Sequence, residues 1–141
     1  MAKVYSTFVA LQKDIEVRTS KAIKIASTRL LGKLQELINS EFYDQYDPTR
    51  YQRTFQFYDS AVTKMLTSLS AEIFMDASLI RYKNDWTGET QIEAANQGIH
   101  GGWYTEESLR HKYWDVFEDY CDKNAVPILR EELRKQDLTI K

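Results

Sequence analysis

Two histidines, His100 and His111, one cysteine, Cys121, and a glycine cluster at Gly98, Gly101 and Gly102 are the residues from which catalysis or ligand binding would have to be built. The glycines stand in "GIHGGWYTEE", residues 98–107, and the chain has only five in all, so this loop concentrates its conformational freedom. A glycine loop ahead of a helix can cradle phosphate, because backbone N–H groups and the helix dipole both favour an anion. Here Glu106 and Glu107 would occupy the first turn after the loop and repel that anion. "GIHGG" is not G-x-G-x-x-G, and neither a Walker sequence nor G-x-S-x-G is present. A general base at His100 would need a nucleophile and an orienting partner. Neither stands near it in the sequence, so a turn histidine bonded to backbone is the favoured reading. The His and Cys spacings match no zinc pattern, and there is no H-E-x-x-H or C-x-x-C. The expectation is a protein without catalysis, cofactor or metal.

The elements that position these residues are read from apolar periodicity. Leu11, Ile15, Ala22, Ala26, Leu30, Leu34, Leu37 and Ile38 recur at three- and four-residue spacings and predict a helix over 8–43. Gly32 interrupts it at a cost of about 1 kcal/mol relative to alanine. Lys13, Arg18, Lys21, Lys24, Arg29 and Lys33 would cover much of its remaining surface. Asp47-Pro48 is a breaker amid Tyr43, Tyr46 and Tyr51. Period-two patterning predicts strands over 54–66, 70–76 and 79–83, although Thr67-Ser68 lacks the signature of a tight hairpin turn. "TQIEAANQG" predicts a short helix ended by Gly98. Thr105 is the expected N-cap of the next helix. Leu109, Tyr113, Val116, Phe117, Tyr120 and Cys121 form its inward stripe. Asn124 and Pro127 predict a new helix start, with Ile128, Leu129 and Leu133 inward. The fold class is α+β: a long N-terminal helix packed on a small antiparallel sheet of two to four strands, with two or three C-terminal helices.

At 141 residues the natural expectation is one domain over 1–141. A single cysteine allows no internal disulfide, which removes the usual argument for secretion. No signal peptide or membrane span is legible, and synthesis in the cytoplasm is the default expectation. The formal charge is unevenly spread: +5 over 1–34, −5 over 35–104 and −2 over 105–141, for a net −2. Such asymmetry fits nucleic-acid contact by the basic helix, or one subunit's basic face meeting a neighbour's acidic face. A pI near 5.7 argues against dedicated nucleic-acid binding.

"YDPTRYQRTFQFYDSAVTKM", "AEIFMDASLIRY", the "GIHGG" loop and "YWDVFEDYCDKNAVPILREELRKQDL" follow one another after the long helix. This order resembles the small head–tail connector, or tail-completion, proteins of long-tailed bacteriophages, the minor tail components of phages of Gram-positive bacteria. Tyr51, Arg53 and Thr54 match the family's Y-x-R-T segment, and Ser60 the serine after it. Gly98, His100, Gly101 and Gly102 match its glycine–histidine–glycine loop. Phe55 replaces the glycine of the commoner R-T-G form.

The resemblance implies a virion protein without enzymatic activity. It implies a ring of six copies at the neck, between the tail terminator and the head connector, with DNA passing through the lumen without specific binding and no membrane partner. An acidic middle segment facing the lumen would keep that DNA from sticking, since Lys and Arg contacts to phosphate supply non-specific affinity. The interface candidates are Gly98, His100, Gly101, Gly102, Trp103 and Tyr104, read as a docking loop, with Tyr51 and Arg53. The alternatives are a small nucleic-acid-binding or regulatory protein using the basic N-terminal helix, and an enzyme built on His100.

Overall fold

The computed structural model describes residues 4–41, 56–80, 92, 99–100, 104–105 and 113–138. Helix α1 (Phe8–Glu41) contains no proline and starts where Thr7 Oγ1 accepts the Ala10 N–H at 3.0 Å. That side-chain bond satisfies a donor the helix itself leaves unpaired. The predicted 8–43 span is thus reproduced within its described residues. Its inward residues are Ala22, Ala26, Leu34, Leu37 and Ile38, all buried. Ile15 was expected on that side but is 43% exposed.

Gln56–Asp59 is a single helical turn, α2, where a strand from residue 54 was expected. The Ser60 N–H closes it on the Gln56 carbonyl at 2.9 Å, and Phe57 is buried beneath. Strands β1 (Ala61–Thr67) and β2 (Ser70–Met75) then pair antiparallel from Ala61↔Met75 to Thr67↔Ser70, with an irregularity between Met65 and Thr67. The turn manages without asparagine or glycine. Thr67 Oγ1 accepts the Leu69 N–H at 3.1 Å and bonds the Ser70 hydroxyl at 2.7 Å, so a side chain does what a positive-φ backbone does in the commonest hairpins. Ala77–Leu79 is a 3-10 turn capped by Asp76, where the third strand was expected to begin; residues 81–83 lie outside the described residues.

A second ladder pairs β3 (Ile99–His100) with β4 (Tyr104–Thr105). Thr105 lies in this ladder, and the helix start expected after it lies outside the described residues. Only Ile92 of the short helix expected before Gly98 is among the described residues, and it is helical. Helix α3 (Tyr113–Lys135) runs unbroken through Asn124 and Pro127, so the break predicted there is absent. Proline inside a helix removes a hydrogen bond and crowds the preceding turn, a cost of about 3 kcal/mol or more. Ile128, Glu132 and Leu133 beyond it are all buried, and that packing outweighs the local penalty.

A two-stranded hairpin is marginal alone, so α1 must cover it. Leu34, Leu37 and Ile38 of α1 meet Phe57, Ala61, Ile80, Tyr113 and Phe117 in one core. The Tyr113 ring meets Phe57 edge-on, with centroids 5.2 Å apart. The Tyr113 hydroxyl donates to the Ile92 carbonyl at 3.1 Å. This satisfies a polar group whose ring is 1% exposed and ties residue 92 to the core. Burial pushes the Tyr113 phenol well above its ordinary pKa, so it stays a neutral donor.

Candidate interaction surfaces

The charges on α1 divide into two sets. Arg29 Nη1 lies 2.8 Å from Glu132 Oε1 and 3.3 Å from Glu131 Oε2. Lys135 reaches the same two carboxylates at 3.1 and 3.4 Å. Glu132 is buried, and a buried carboxylate must be paired. Its hydrogen bond from Lys135, reinforced by Arg29, holds its pKa below the usual carboxylate range although burial pushes the other way. Arg18 donates to the Gln136 carbonyl at 2.9 Å and lies 3.8 Å from Asp137. It thereby takes up a carbonyl just past α3, whose end is closed by Leu138 N–H to Leu133 O and Asp137 N–H to Arg134 O. Asp137 takes φ 61°, a position that favours glycine. Lys33 pairs with Glu36 at 3.0 Å and sits 5.2 Å from the centre of the Tyr120 ring. So Arg18, Arg29 and Lys33 are committed inside the molecule, whereas Lys13, Lys21 and Lys24 are exposed.

A second surface lies at the start of α1. Val4, Phe8 and Val9 are 96, 76 and 71% exposed. The hairpin tip is placed at this same end, because the Ser68 hydroxyl donates to Glu16 at 2.6 Å, and it carries exposed Leu66 and Leu69. Tyr5 donates to the Asp14 carboxylate, which fixes the entry to the helix and raises the Tyr5 pKa. Arg18 holds Asp14 from the other side at 2.8 Å.

Of the docking residues read from the sequence, His100 and Tyr104 are brought together as cross-strand partners in the β3–β4 ladder. Gly98, Gly101, Gly102, Trp103, Tyr51 and Arg53 lie outside the described residues, as does His111. Cys121 is half-buried at the edge of the core. Burial, then the carboxylates of Asp122 and Glu118, raise its pKa, so it is a packing residue and not a thiolate nucleophile. Among the described residues no group of three or more His, Cys, Asp or Glu side chains is arranged to hold a metal ion. No helix among them is long and apolar enough to cross a membrane. Sequence reasoning did not find the pairing of Arg29 with buried Glu132. Its only signal was a glutamate at the spacing of an inward position beside Leu133.

A family model, that of YomN, matches residues 7–135. The match runs from one residue before α1 to the last residue of α3. The chain belongs to the YomN family. YomN is a Bacillus phage-region protein, and membership makes this a phage-associated chain. No curated protein matches it, and no solved structure does.

Proposed function

We propose that the chain is a structural protein of the phage neck, assembling as a ring, of six copies in the resemblance, that joins the DNA-filled head to the tail without catalysis. The observation that carries the reading is the YomN match, a phage-region family covering the chain from α1 through α3. The order of sequence features that resembles tail-completion proteins supplies the finer placement between tail terminator and head connector. The exposed apolar start of α1 and hairpin tip suit a protein that works by contact with others. The nucleic-acid alternative loses ground because Arg18, Arg29 and Lys33 are held by partners within the molecule, leaving Lys13, Lys21 and Lys24 as the exposed lysines of α1, on a chain of net charge −2. Deleting the gene from the encoding phage should yield filled heads and separate tails by electron microscopy. Peptides of this chain should be found in wild-type virions. Joined particles in the deletion strain would rule the reading out.

A further inference from the structure

We propose that neighbouring copies join through the outer face of α1 on one copy and the outer face of α3 on the next, a contact that rests on the ring reading above. On α1, Lys13, Val17, Lys21 and Lys24 are exposed and recur at spacings of four, four and three, which puts them on one face. On α3, Asp115, Asp119, Asp122 and Val126 are exposed at spacings of four, three and four, with exposed Glu118 beside them. The α1 stripe sets lysines on both sides of Val17, 58% exposed; the α3 stripe sets three aspartates before Val126, 62% exposed, with exposed Lys123 at its edge. Both stripes extend over eleven helical steps. At the rise of an α-helix that is about 16 Å for each. The faces thus each present one exposed valine and are opposite in charge.

An antiparallel alignment that sets Val17 on Val126 places Lys21 beside Asp122, Lys24 beside Asp119 and Thr28 beside Asp115. The contact ends before Lys13, which would otherwise meet Arg130. Asp119 already pairs with Lys123 at 2.8 Å, but both side chains are largely exposed, and such an i,i+4 pair contributes little and exchanges readily. α1 and α3 pack on each other through their buried residues, so both stripes face solvent in every copy. Two unlike faces on one subunit make a heterologous contact, which repeats around a ring when the rotation closes. A nucleic acid would use the lysines but has no use for the acidic stripe or for Val126.

The test places charge reversals into the encoding phage by complementing the gene deletion. K21E/K24E and D119K/D122K each set like charges face to face, which should lower the contact affinity by roughly a hundredfold. Circular dichroism confirms that each variant folds. Each alone should lose plaque formation, and all four substitutions in one chain should restore it. In a C121S background, V17C with V126C should give disulfide-linked multimers in purified virions. If the deletion blocks joining but both reversals join normally and no multimers form, the ring stands and this interface is wrong. If the deletion strain joins normally, the neck reading fails and the interface falls with it. If the lysine reversal abolishes salt-dependent DNA binding and the aspartate reversal gives no rescue, the lysine face belongs to nucleic acid.

Discussion

Residues 22–38 and residues 8–17 of α1 belong to one unbroken helix, yet they live in different surroundings. The later stretch buries Ala22, Ala26, Leu34, Leu37 and Ile38 against the hairpin, α2 and α3. The earlier one leaves Phe8, Val9, Ile15 and Val17 largely in water. Helix propensity and apolar spacing hardly distinguish the two. What distinguishes them is that α3 ends near Arg18, which bonds the carbonyl of the next residue, Gln136, so the helix outruns its partner. An apolar side chain stabilises the fold only where something covers it. The uncovered stretch leaves its apolar residues exposed and adds little to the stability of the fold.

Substitutions at the two ends of α1 and at its partners should break or sharpen this contrast. The largest effect is expected in the covered part. Phe57→Ala, which empties the site between α1 and Tyr113, should cost about 3–5 kcal/mol in urea unfolding. Acid should act next. Glu132 and Glu131 have lowered pKa values in the fold, so their pairing with Arg29 and Lys135 is fully stabilising above the unfolded carboxylate range. That stability is lost as the pH falls through their folded values, and a drop in thermal midpoint below about pH 4 should be flattened in Glu132→Gln. Tyr113→Phe removes the bond to the Ile92 carbonyl and should cost about 1 kcal/mol, with faster amide exchange around residue 92. Asp137→Gly relieves a left-handed residue at the end of α3 and should stabilise by about 0.5–1 kcal/mol, since the contact with Arg18 that it removes is 3.8 Å long and its carboxylate is 89% exposed. Smallest of all, Phe8→Ser with Val9→Ser should change stability by less than about 0.5 kcal/mol. A destabilisation comparable to that of Phe57→Ala would show that the start of α1 is covered after all.

The long helix was legible because its apolar spacing persists over many turns, and the hairpin because period two shows around Ile73 and Met75. The turn at Gln56–Asp59 was not, since four residues are too few to separate a helical turn from a strand. Pro127 misled for the opposite reason: a strong local signal was overridden by Ile128 and Leu133 packing on the far side of it. Arg29 and Glu132 each read as ordinary surface charges, because their partnership joins positions 103 apart. The docking residues rested on composition and resemblance alone. The structure gives them only the pairing of His100 with Tyr104.

The distance along the chain between α1 and the groups that complete it has a bearing on how the protein is made. Arg18 finds its carbonyl 118 positions later, and Arg29 its carboxylate 103 positions later. A ribosome adding about 5–20 residues per second leaves α1 without that partner for several seconds or more. During that interval the part of the nascent helix's apolar side that α3 covers stays open to the cell. Productive folding is therefore confined to nearly finished chains, and a message cut short before α3 yields material for proteolysis and not a stable partial fold.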